Sequence, residues 1–106
     1  MSGLAPEFEP PYYAVIFSST LSDDADGYAD TARRMEALAA QSPGFLGVES
    51  AREGIGITVS YWRDLDAIAA WKSDVDHLEA QRQGKTRWYE AYRLRVAKVE
   101  RSSAKD

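Results

Sequence analysis

His77 is the only histidine in the 106 residues, and so the only side chain whose ordinary pKa lies near neutrality. It is a candidate for proton transfer or for polarising a bound ligand. The same imidazole would also serve as a hydrogen-bonding group inside a helix–sheet pocket or across a dimer contact. Three tryptophans (Trp62, Trp71, Trp88) and six tyrosines (Tyr12, Tyr13, Tyr28, Tyr61, Tyr89, Tyr92) are many for a chain this short. Buried indoles and phenols need partners for their N–H and O–H groups. A pocket built from them suits a planar, phenolic or quinone-like ligand; the alternative use is core and dimer packing. Tyr61, Trp62, Trp88 and Tyr92 are the candidate substrate-binding residues. Arg33, Arg34 and Arg52 could hold an anion, although surface arginines are ordinarily solvated.

Other chemistries are excluded by what the chain lacks. Cysteine is absent, which removes disulfides, thiol nucleophiles, iron–sulfur clusters and Cys-ligated zinc. One histidine cannot build a two-histidine metal site within one chain. There is no Gly-x-Ser-x-Gly elbow, phosphate loop or Gly-x-Gly-x-x-Gly. The acidic pairs Asp23-Asp24, Asp64-Asp66 and Asp74-Asp76 each open an expected helix, where capping and the helix dipole explain them. No metal is expected. Net charge is −4, divided unevenly: residues 1–80 hold 5 basic and 14 acidic groups, residues 81–106 hold 8 and 3. The basic residues near the end alternate with apolar ones, from Arg93 to Val99, which reads as a half-solvated strand rather than a nucleic-acid tail. No apolar run approaches the roughly 20 residues of a membrane span, and because the first residues lack a basic region followed by an apolar stretch, no signal peptide is expected. No nucleic-acid or membrane partner is expected, and the composition fits a cytoplasmic protein.

The elements that must position these residues can be read from periodicity. Residues 1–11 hold Gly3, Pro6, Pro10 and Pro11 and read as an extended arm. Tyr12–Ser19, rich in β-branched and aromatic residues, reads as a strand with both faces largely buried. A helix is predicted from about Asp24 to Gln41, with Tyr28, Ala32, Met35, Leu38 and Ala39 as its apolar stripe. Phe45–Arg52 and Ile55–Trp62 read as a hairpin turned at Glu53-Gly54, with Gly56 marking a bulge or a close backbone approach. Asp64 can cap a helix over Leu65–Lys72. Ser73-Asp74-Val75-Asp76 has the form of a capping box, which predicts a bend near Lys72–Ser73 and a second segment from Asp74 to about Gln83. Trp88–Glu100 reads as the last strand, and residues 101–106 as a flexible tail. The order β-α-β-β-α-β predicts an α+β, ferredoxin-like domain over residues 12–100, with one four-stranded antiparallel sheet and helices on one face.

The uncovered face must find cover elsewhere. Ile55, Ile57, Val59 and Tyr61 alternate with Gly56, Thr58, Ser60 and Trp62; Tyr92, Leu94 and Val96 alternate with Arg93, Arg95 and Ala97. Gly56, Thr58, Ser60 and Trp62 together with Arg93, Arg95 and Ala97 are expected to form a mixed, semi-apolar open face for a sheet-to-sheet homodimer.

This order, with Pro43-Gly44-Phe45-Leu46-Gly47 opening the second strand, Tyr61-Trp62 closing the third and Ala67-Ile68-Ala69-Ala70-Trp71 following, resembles the antibiotic biosynthesis monooxygenase (ABM) superfamily over about residues 12–100. The stretches Pro11–Phe17, His77–Gln81, Gly84 and Trp88–Tyr92 resemble small bacterial ABM-domain proteins of unassigned function. The resemblance implies a dimeric α+β barrel with a pocket between the second helix and the sheet, and Trp71 beside it. It implies a cofactor-independent monooxygenase acting on a small aromatic or quinone-like compound, with His77 and Trp71 as the catalytic pair and no cofactor. Two alternatives come with it. One is a non-catalytic ligand-binding or stress-related module. The other is a haem-binding or haem-degrading protein, whose relatives ligate iron through a histidine on this helix and use an asparagine on the first strand; this chain has no asparagine.

Overall fold

The computed structural model describes residues 3–23, 27–82 and 89–105, without the side chains of residues 31 and 77–82. The elements are β1 (Tyr12–Leu21), α1 (Tyr28–Gln41), β2 (Phe45–Glu53), β3 (Ile55–Trp62), α2 (Leu65–Arg82) and β4 (Tyr89–Val99). The four strands form one antiparallel sheet in the order β2-β3-β1-β4. This is the ferredoxin-like arrangement that the element order predicts. As the central strand, β1 buries adjacent residues on opposite faces, Ala14 and Val15.

The core lies between the sheet and the helices. Val15, Ala39, Trp62 and Ile68 form its buried centre, with Tyr13, Phe45, Ala67 and Trp71 packed around it. Trp62 is fully buried and donates its indole N–H to Ser60 Oγ at 2.9 Å. At the hairpin, Gly54 adopts a φ of 80°, the left-handed conformation a tight turn requires. Asp64 caps α2 by accepting the Ala67 N–H at 2.8 Å. The expected start of α1 at Asp24 falls outside the described residues; the helix is described from Tyr28.

Two expectations are corrected. The helix does not restart at Ser73: α2 runs unbroken from Leu65 to Arg82. Ile68 and Val75 are both buried and Trp71 between them packs on the core. A break at Lys72–Ser73 would turn Val75 out of that stripe. Lys72 and Asp76, one turn apart, pair at 2.6 Å across the expected break. The second correction concerns the sheet faces. Register pairs Thr58 with Phe17 and Phe17 with Leu94, Ser60 with Val15 and Val15 with Val96. Gly56, Thr58, Ser60 and Trp62 therefore share the helix-covered face with Tyr92, Leu94 and Val96. The open face carries Ile55, Ile57, Val59 and Tyr61 with Arg93, Arg95 and Ala97, because side chains of directly paired residues point to the same side.

Candidate functional site

A cavity of about 550 Å³ lies between the helix-covered face of the sheet and the two helices. Its origin is legible in the residues beneath it. On that face β3 places Gly56, Thr58 and Ser60, and β2 adds Ser50. These small side chains cannot fill the space under α1 and α2. Val15, Phe17, Met35, Ala39, Val75 and Leu94 supply apolar walls.

Aromatic clusters mark the two ends. At one end Trp71, from α2, lies over Trp62 with ring centroids 5.1 Å apart, and Phe45 meets Trp62 edge-on at 5.4 Å. The Trp71 Nε1 is buried and has no hydrogen-bond partner among the described residues. A buried donor left unpaired costs free energy on the order of 1–3 kcal/mol. Trp71 also lines the cavity, so a ligand oxygen could relieve that cost. At the other end Phe17, Tyr28, Tyr89 and Tyr92 form a second cluster, with centroids 5.3–5.8 Å apart in successive pairs.

Arg52 closes this second end. Its guanidinium donates to Ser19 Oγ at 2.6 Å, to the Ser19 carbonyl at 3.3 Å and to the Tyr28 hydroxyl at 3.4 Å. It lies 5.5 Å from the centroid of the Tyr28 ring. It also crosses Gly56, where a Cβ would collide with it. Of the two readings open to Gly56, close approach is the one realised, and the approaching group is a side chain.

The residues singled out in the sequence divide accordingly. Trp71 and Tyr92 line the cavity. Trp62 lies behind Trp71 as its packing surface. Tyr61 points to the opposite face, where its hydroxyl donates to Glu49 Oε1 at 2.8 Å. Burial, followed by that bond and the neighbouring Glu49 charge, pushes its pKa up to about 12. Glu49 also accepts the Ala5 N–H of the arm at 2.9 Å. The His77 side chain and all of Trp88 lie outside the described residues. Sequence reasoning missed Tyr28 and Tyr89 as site residues. The small residues Gly56, Thr58 and Ser60 on β3, expected on the open face, instead floor the cavity beneath the two helices.

The chain is similar to known proteins over most of its length. The family model described as antibiotic biosynthesis monooxygenase matches residues 11–83. The uncharacterized protein YqjZ of Bacillus subtilis is 56% identical over 103 residues, covering 95% of this chain and 90% of that protein. Among solved structures, SnoaB from Streptomyces nogalater, a cofactor-independent oxygenase, superposes with a TM-score of 0.68 at 16% identity, covering 88% of this chain and 97% of that one. PA3566 from Pseudomonas aeruginosa superposes with a TM-score of 0.62 at 13% identity, covering 92% of this chain and 100% of that one. At such identities the two structures speak for the fold alone.

Proposed function

The chain belongs to the antibiotic biosynthesis monooxygenase family, and from that premise we propose that it is a cofactor-independent monooxygenase of a small aromatic or quinone-like compound bound between the sheet and the helices. The observation that carries this reading is the aromatic-lined cavity with, at one end, the indole N–H of Trp71, which has no partner among the described residues. The fold is shared with SnoaB from Streptomyces nogalater, itself a cofactor-independent oxygenase, which is consistent with this reading.

The chemistry asks for three things from the protein. A base must take the phenolic proton, so that the electron-rich ring can reduce O₂. A donor must stabilise the developing negative oxygen. The pocket must keep water away from the intermediates. For a phenol with an open ring position the balance closes without an external reductant: one oxygen atom becomes the new quinone carbonyl, the other leaves as water, and the substrate supplies the electrons. Trp71 is the proposed donor and His77 the proposed base. Tyr92 and the neighbouring rings would orient the substrate.

The functional unit is proposed to be a homodimer. Ile55 and Ile57 on the open face are 58% and 45% exposed. Apolar residues exposed to that extent on a bare sheet face call for a covering partner.

The test is oxygen uptake by the purified protein with a panel of phenols and quinols, without added metal or flavin. Trp71→Phe keeps a six-membered aromatic ring and deletes the indole N–H. It should lower turnover by roughly 10²-fold, the scale of losing one oxyanion donor, while the circular dichroism spectrum stays that of the folded protein. His77→Ala should flatten the rise of rate with pH near neutrality. Saturable binding with no oxygen uptake would replace the oxygenase reading with a ligand-binding module.

A further inference from the structure

Arg52, exposed at the mouth of the cavity, is a charge that the described residues around it orient without neutralising. Its three hydrogen-bond partners, Ser19 Oγ, the Ser19 carbonyl and the Tyr28 hydroxyl, are all uncharged. Ser19 itself is 3% exposed, a buried hydroxyl committed to holding the guanidinium. The ion pairs described are Arg33–Asp30 and Lys72–Asp76, and no carboxylate of the described residues lies within 4 Å of Arg52. Lys72 also lines the cavity, but Asp76 answers its ammonium. A guanidinium has five N–H donors in a fixed plane. Three are used here, which leaves two uncommitted among the described residues.

The position of this charge sets the shape of what it would hold. Arg52 pairs with Gly56, while Ser60, beside Trp62, lies four residues along the same strand. That is a separation of roughly 13 Å. The Trp71 donor thus belongs to one end of the cavity and the Arg52 cation to the other. Phe17, Thr58 and Leu94 lie in the row between. A neutral hydrocarbon would leave the cation unmatched, and a cationic ring would be repelled.

We propose that the cavity takes an aromatic carboxylate, its ring system held between the Trp71 end and the Tyr28–Tyr89 end and its carboxylate paired with Arg52. This names a substrate class for the site described above and rests on that site being the ligand pocket. The acid is a remote handle: the reacting phenol lies toward Trp71, and Arg52 fixes which way round the rings enter. A charge-assisted hydrogen bond from a pre-oriented guanidinium discriminates an acid from its uncharged isostere.

The test is calorimetric titration of the full chain with 6-hydroxy-2-naphthoate and with the uncharged 6-hydroxy-2-naphthamide. The acid should bind at least tenfold more tightly than the amide. Arg52→Gln should abolish that preference while leaving amide affinity within about twofold, and Arg52→Lys should retain part of it. The amide serves as the folding control, since it reports an intact cavity in each variant. Equal binding of acid and amide by the unaltered protein, or a preference that survives Arg52→Gln, overturns the proposal and leaves the cavity reading standing. Failure of both probes to bind at millimolar concentration overturns the cavity reading and this proposal with it.

Discussion

Two aromatic side chains on neighbouring stretches of the chain carry opposite consequences. The Trp71 N–H is buried without a partner among the described residues, and Trp71 lines the cavity. The Tyr61 O–H is on the other face of the sheet and already committed to Glu49. Its pKa, pushed to about 12, makes it a poor base at neutral pH and a stabilising group when protonated. The folded-state value lies above the ordinary 10.0. The unfolded chain therefore releases this proton first as pH rises. The stabilisation is whole below about pH 10 and is lost as pH climbs through 12. The melting-temperature difference between the unaltered protein and Tyr61→Phe should shrink progressively above pH 10. A difference that stays constant to pH 11.5 would show that Tyr61 titrates as an ordinary phenol.

For the elements, α2 gives the sharpest contrast between a local pattern and its context. Ser73 has the neighbours of an N-cap, yet it is exposed within an unbroken helix. A serine at an N-cap contributes about 1 kcal/mol, which Ser73→Ala would remove. In a helix interior alanine is the better residue, by up to about 0.5 kcal/mol. Ser73→Ala should therefore leave stability unchanged or raise it slightly in urea unfolding. Loss of about 1 kcal/mol would restore the expected helix start. Asp64 makes the opposite case, since its carboxylate does accept the Ala67 N–H.

Viewed whole, the molecule has an unequal sheet. α1 and α2 cover the face holding Val15, Ser60 and Trp62, whereas β4 is half-buried only at its ends, Tyr89 and Val99. The open face carries Ile55 and Ile57 near acidic β2, where Glu49 and Glu53 share that side, and Arg93 and Arg95 along β4. One edge of this face is thus acidic and the other basic. A two-fold pairing of such faces can set each basic edge against the partner's acidic one while burying the isoleucines. Sedimentation velocity at micromolar concentration should show a dimer. Ile57→Asp should shift it to a monomer that keeps its circular dichroism spectrum. A monomer for the unaltered protein would remove the dimer from the proposed functional unit.

The chain by itself determined the element order, the Asp64 cap, the turn at Gly54 and the apolar stripe of α1, because these depend on residues within a few positions of one another. The family resemblance was legible for the same reason, in short motifs at the strand and helix ends. Three features were settled only by tertiary structure. Which alternating set of β3 faces the helices depended on register with β1 and β4, which are distant in sequence. The continuity of α2 depended on Val75 finding the same core as Ile68. The placement of Arg52 depended on Ser19 and Tyr28, 33 and 24 residues away, meeting one guanidinium above a glycine. Local chemistry specifies what each segment can become, but the cavity exists only where long-range pairing brings small residues of one strand beneath two helices.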